Sequence, residues 1–148
     1  MKNFNLPEQI VELRIMLQGI CDGFSTENFN KKTTLTMRVK VLYMLSKNKN
    51  CPPSVLIEGL GIAKSNLALL CKAMCEEGVI CASKSETDKR NVYYSLTAKG
   101  ERELKEFYGL MLSEFDLSLT ERETKIIEKK FEEIIDFLNK KYKGKKND

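Results

Sequence analysis

Asp88-Lys89-Arg90-Asn91-Val92-Tyr93-Tyr94-Ser95-Leu96-Thr97-Ala98-Lys99-Gly100 is the stretch whose reading decides the fold of this 148-residue chain. Val92, Tyr94 and Leu96 alternate with Tyr93 and Ser95 at the two-residue period of a half-buried strand. Lys89 and Arg90 precede that strand where a hairpin would turn, and Thr97 follows it with a side-chain oxygen suited to cap a helix beginning at Ala98. Such a tip projects two positive charges into solvent, where they can meet phosphate. Asp88, two residues before Arg90, is placed to hold the guanidinium in one direction by a charge-assisted hydrogen bond. Alone, the Asp-x-Arg pair suits a solvated hairpin as well as a nucleic-acid-binding wing. The chain on either side separates the two.

Upstream, Val79-Ile80-Cys81-Ala82-Ser83 reads as the partner strand, so the hairpin spans 79–96 with a polar tip from Lys84 to Arg90. Before it, a helix runs from about Ala63 through Cys75, with Leu67, Leu70, Cys71 and Met74 forming an inward stripe and Gly78 ending it. Pro52-Pro53 opens a short helix that runs to Leu60 and breaks at Gly61. Leu35 to Val41 alternates like a strand, yet continues without Gly or Pro through Leu45, and that length argues for a helix. Lys47-Asn48-Lys49-Asn50-Cys51 is a polar connector. Helix, helix, turn, helix and hairpin, in that order, make a winged helix-turn-helix over residues 34–97.

The flanks are helical. Ile10, Leu13, Leu17, Ile20 and Phe24 recur at helical spacing from about Pro7 to Gly23. A helix from Ala98 carries Leu104, Phe107, Tyr108, Met111 and Leu112 toward Phe115. Another opens at a capping box, Thr120-Glu121-Arg122-Glu123, and bears Ile127, Phe131, Ile134, Ile135, Leu138 and Tyr142. The expected fold is therefore mainly α with a small β-hairpin wing. Residues 5–30 and 98–142 supply terminal helices, and 143–148 form a frayed tail. Long stripes with no large domain to cover bury most economically against a second copy of the chain, giving a homodimer.

Charge follows the same division. Residues 31–100 carry twelve basic and five acidic side chains, against two and four before them and eleven and twelve after. A basic central module between nearly neutral flanks is the footprint of a polyanion-binding domain. Histidine is absent, which excludes Ser-His and Cys-His nucleophile pairs and removes the commonest transition-metal ligand. The expectation is a protein that is no enzyme and takes no cofactor. Five cysteines without a Cys-x-x-Cys pair suit free thiols in a reducing compartment. Cys71, Cys75 and Cys81 are close in sequence, but Cys71 falls on the core stripe and no fourth ligand is identifiable, so no metal site is expected. No apolar run is long enough to span a bilayer, and the first residues lack the pattern of a secretory signal, so the expected location is the cytoplasm.

Leu60-Gly61-Ile62-Ala63-Lys64-Ser65-Asn66-Leu67, Glu76-Glu77-Gly78-Val79-Ile80, and the stretch from Asp88-Lys89-Arg90 through Leu96-Thr97-Ala98-Lys99-Gly100 together resemble the MarR family of bacterial transcriptional regulators, over roughly residues 5–142. The resemblance implies one MarR-like domain over 1–148 whose terminal helices dimerise. It implies a ligand-responsive transcription regulator, usually a repressor, whose homodimer binds a pseudo-palindromic operator in double-stranded DNA. It puts Lys64, Ser65, Asn66, Ala68 and Lys72 on the major-groove face, Lys84 near the wing, and Lys89 and Arg90 at the minor groove with Asp88 orienting Arg90. A crevice for a small aromatic or lipophilic effector is implied between the terminal helices and the winged module, for which Tyr43, Met44, Phe107, Tyr108 and Met111 are candidates. Some members sense oxidants through a first-helix cysteine, which makes Cys21 the redox candidate.

The residue types suit these roles. Ser65 and Asn66 near a helix N-terminus can bond phosphate or base edges, although either could instead serve the helix as a cap. Lys64 and Lys72 neutralise phosphate. The chain departs from the family at Leu69, Ala73 and Ala82, where members often carry basic side chains; Lys31, Lys32, Arg38, Lys40, Lys84 and Lys99 are the cations available to compensate. The alternative reading is a winged-helix protein-interaction module with weak or no specific DNA binding, in which an exposed Leu69 contacts a protein.

Overall fold

The computed structural model describes residues 5–22, 35–114 and 119–143. In chain order the elements are α1 (Asn5–Asp22), α2 (Met37–Lys47), α3 (Pro53–Leu60), α4 (Lys64–Glu76), β1 (Ile80–Lys84), β2 (Val92–Leu96), α5 (Ala98–Glu114) and α6 (Glu121–Lys143). Residues 1–115 and 116–148 form two compact units. Phe24, Lys31, Lys32, the side chain of Cys21 and the tail beyond Lys143 lie outside the described residues.

Within the first unit, local chemistry sets the element ends. Thr36 caps α2, its hydroxyl accepting the Val39 N–H at 3.3 Å. The alternating stretch before Leu45 is thus helical, and Val41, Leu42 and Leu45 share one buried face. Pro53 occupies the first turn of α3, where its missing N–H costs nothing, and Gly61 ends that helix at φ 63°. Gly78 follows α4 at φ 76°. Val79 was expected in the first strand, but its N–H donates to the Met74 carbonyl at 3.1 Å, so it belongs to the helix exit. The strand begins instead at Ile80. It ends at Lys84, which pairs with Val92 and so stands in the ladder rather than at the tip.

The core is built where α2, α3, α4 and the hairpin meet. Leu42, Leu56, Leu67, Cys71, Met74, Val79 and Ile80 are fully buried there, with Leu104 of α5 against them. Each large aliphatic side chain so placed contributes about 2 kcal/mol of burial free energy. Cys51 corrects the reading of 47–51 as a polar connector. It is buried, and it exchanges two main-chain hydrogen bonds of 2.8 Å with Tyr94, adding a one-residue bridge to the free edge of β2. That edge is thereby covered, and all five β2 residues are half-buried instead of alternating.

The second unit is α6. Its first turn has the expected capping box: the Thr120 N–H donates to the Glu123 carboxylate at 2.8 Å, and the Glu123 N–H donates back to the Thr120 hydroxyl at 3.2 Å. Ile134, Ile135, Leu138 and Tyr142 are exposed along it, as are Leu6, Ile10, Leu13 and Met16 on α1. Among the described residues no single helix is long and apolar enough to cross a membrane.

Candidate nucleic-acid interface

Two faces, α4 and the hairpin tip, carry the sequence-derived site. Leu67, Cys71 and Met74 turn α4 inward. Helical geometry then puts Ser65, Asn66, Leu69, Lys72 and Ala73, at i, i+1, i+4, i+7 and i+8, on the opposite face, and all five are exposed. Lys64 and Ala68 border that face and are exposed too. The cap residue of α4 is Ala63, which supplies no side-chain bond. Ser65 and Asn66 are therefore not caps, and among the described residues their side chains keep their hydrogen-bonding capacity.

At the wing, Lys84, Asp88, Lys89 and Arg90 are all exposed. The tip is closed by its own polar groups. Ser85 and Asn91 are joined by a main-chain bond of 3.0 Å, the Asn91 N–H donates to the Asp88 carbonyl at 3.0 Å, and Ser85 shares its hydroxyl with that of Thr87 at 2.9 Å. Asp88 does not hold the Arg90 guanidinium. Its carboxylate accepts the Arg90 main-chain N–H at 3.0 Å. The reason is local: an Asp side chain in a turn reaches the N–H two residues on without ordering anything, whereas fixing a long exposed guanidinium costs side-chain entropy. The carboxylate shapes the turn, and the guanidinium extends from it.

The base of the wing is tied to the end of α4. The Thr97 hydroxyl donates to the Gly78 carbonyl at 2.7 Å and accepts the Gly100 N–H at 3.1 Å, so the expected cap also staples α5 to the helix exit. Lys99 donates to the Glu77 carbonyl at 2.8 Å. At Gly100 a Cβ would meet the Val79 carbonyl oxygen at 2.0 Å, so only glycine lets α5 approach so closely.

Arg38 is the residue that sequence reasoning misplaced. Expected as a free compensating cation, it donates from Nε and Nη2 to the two Glu103 oxygens at 2.6 and 2.9 Å, and its other nitrogen pairs with Glu77. This clamp joins α2, the C-terminal cap of α4 and α5. The hydrogen bonds to Glu103 are the main cause holding the Arg38 pKa above its ordinary value, and they hold the Glu103 carboxyl below the usual carboxylate range. Nothing in the sequence signals the clamp, because its partners lie 39 and 65 positions away.

The remaining candidates fall on α2, α5 and the wing base. Tyr43 of α2 and Tyr108 of α5 are 45% and 40% exposed, and they are near enough for Tyr43 to raise the Tyr108 pKa, after burial as the larger cause. Phe107 is buried beside Tyr108, their ring centroids 6.2 Å apart, and Met44 and Met111 are half-buried. Met44 packs against Gly59, where a Cβ would come within 2.8 Å of its methyl group. Cys71 is buried, its pKa pushed up to about 11 by desolvation, while Cys75 is half-buried and raised for the same first reason; Cys81 is exposed. Burial keeps the first two as thiols and so works against thiolate chemistry.

Comparison with known proteins bears on the same region. Residues 40–100 match the model of a winged helix DNA-binding domain. Among curated proteins none matches this chain by sequence. Among solved structures, a protein described as a MarR-like transcription regulator from Bacillus cereus is 26% identical, with a TM-score of 0.55, covering 90% of this chain and 96% of its own. BpsR from Bordetella bronchiseptica, whose DNA binding is regulated by 6-hydroxynicotinic acid, is 18% identical, with a TM-score of 0.58 and coverage of 85% and 98%. A mutant MarR from E. coli, complexed with operator DNA, is 18% identical, with a TM-score of 0.54 and coverage of 90% and 99%.

Proposed function

We propose that this chain is a winged-helix transcription regulator of the MarR type, a reading supported by its match to a winged helix DNA-binding domain and its likeness to a MarR-like regulator, and that it represses transcription as a homodimer on a pseudo-palindromic operator and releases it on binding a small effector. One observation carries the DNA-binding part. The outward face of α4 presents Ser65, Asn66 and Lys72, bordered by Lys64 and Ala68, with unspent hydrogen-bonding groups, while Lys84, Lys89 and Arg90 stand exposed on the hairpin that follows it. In this reading α4 enters the major groove and the wing tip meets the backbone or the minor groove. The MarR complexed with operator DNA supports it by likeness of fold.

Dimerisation is supported by the exposed apolar residues of α1 and α6, which a second copy would cover. Two recognition helices must then meet grooves about 34 Å apart, so an effector that changes their separation by a few ångström exchanges specific contacts for unpaired ones. Tyr43, Met44, Phe107, Tyr108 and Met111 are the residues assigned to an aromatic or lipophilic effector. The likeness to BpsR, regulated by an aromatic acid, supports that chemistry. Occlusion and release require no bond chemistry. The test is selection of bound sequences from a random DNA pool at several salt concentrations. An enriched inverted repeat is the expected outcome, and recovery of unrelated sequences whose binding vanishes with salt would refute specific recognition.

A further inference from the structure

The outward face of α4 carries one side chain that neither packing nor charge explains. Leu69 is 70% exposed and sits midway between Ser65, Asn66, Lys72 and Ala73, opposite the buried Leu67 and Cys71. We propose that Leu69 is a specificity-determining residue that reads the 5-methyl group of thymine in the major groove. This rests on the DNA-binding reading above and adds to it a preference for an A·T pair, with thymine on the strand that Leu69 faces.

The chemistry leaves one base edge as a partner. In the major groove guanine, adenine and cytosine present acceptors and donors, and thymine alone adds an apolar group. An isobutyl side chain over a polar edge would strip water from it and return no hydrogen bond, whereas over the thymine methyl it buries apolar surface on both sides. The surroundings agree. Asn66, at i−3 from Leu69, keeps an amide suited to paired bonds with adenine, and Ala68 and Ala73 are small enough to let the helix lie deep. Lys64, Lys72 and the wing cations supply the positive charge that a DNA occupant needs. Glu76, a carboxylate near the same face, stands seven residues further on, about 10 Å along the axis and at the end that a recognition helix keeps out of the groove. A lone leucine between polar residues and alanines is also far short of the roughly 800 Å² per partner that a stable protein interface buries.

The experiment uses the full chain and the duplex it enriches from a random pool. Each thymine is replaced in turn by deoxyuridine, which removes only the methyl group, and affinity is read by fluorescence anisotropy for the wild type and for Leu69→Ala. At one thymine position per half-site the replacement should weaken wild-type binding about three- to fivefold. The same replacement should leave Leu69→Ala unchanged. Wild-type affinity insensitive to every replacement, or an equal loss in both proteins, overturns the inference while the DNA-binding reading stands. Leu69→Ala binding as tightly as the wild type overturns it too. Failure to enrich any sequence overturns both readings together.

Discussion

Arg90 shows how far a single residue can be understood from its neighbours. The Asp88-x-Arg90 spacing marks the turn correctly, but the carboxylate spends itself on the Arg90 main-chain N–H. The guanidinium therefore does not take its order from Asp88. Replacing Arg90 with Ala should weaken operator binding by roughly 1–3 kcal/mol if the side chain reaches a base edge. A filter-binding titration checks it, and an unchanged affinity would leave the wing without a role in recognition. Gly100 is the opposite case, a residue whose importance its neighbours do not announce. Its requirement comes from the Val79 carbonyl, which the chain brings to it from across the hairpin.

Among elements, the Arg38 clamp has the most to say about how α4 is held. Arg38 binds α5 through Glu103 and the cap of α4 through Glu77, and Lys99 of α5 returns to the Glu77 carbonyl. Glu103 is held below its ordinary pKa first by its bond to Arg38, so the ion pair stabilises the fold above the unfolded carboxylate value, about pH 4.3. That contribution is lost as pH falls through the lower, folded value. Glu103→Gln should therefore cost about 1 kcal/mol at pH 7, a modest figure because the group is partly solvated. Denaturant unfolding across pH should show the difference between wild type and variant shrinking below pH 4. A gap that stayed constant into acid would exclude Glu103 as its source.

For the molecule as a whole, the exposed apolar residues of α1 and α6 are the argument for a second copy. Ile134 and Leu138 lie one turn apart on α6 and are both exposed. Changing both to Glu should shift the protein from dimer to monomer in sedimentation, since charge on an apolar seam must be desolvated when the seam closes. A soluble dimer surviving both changes would remove α6 from the interface. The same measurement bears on the proposed operator binding, because in that reading a monomer loses the paired half-sites.

The order of elements, the caps at Thr97 and Thr120, the breaks at Gly61 and Gly78, and the inward stripe of α4 are legible in the chain because each depends on residues within a turn or two of one another. So is the exposure of Lys64, Ser65, Asn66 and Lys72, which follows from helical period once Leu67, Cys71 and Met74 are buried. The Cys51 bridge to Tyr94, the clamp from Arg38 to Glu77 and Glu103, and the close approach at Gly100 are different. Each joins positions between 21 and 65 residues apart, and nothing in local spacing distinguishes a free arginine or a polar connector from a partnered one. Those pairings exist because the packed core brings α2, α5 and the hairpin together, and burial then makes every unpaired polar group there costly enough to find a partner.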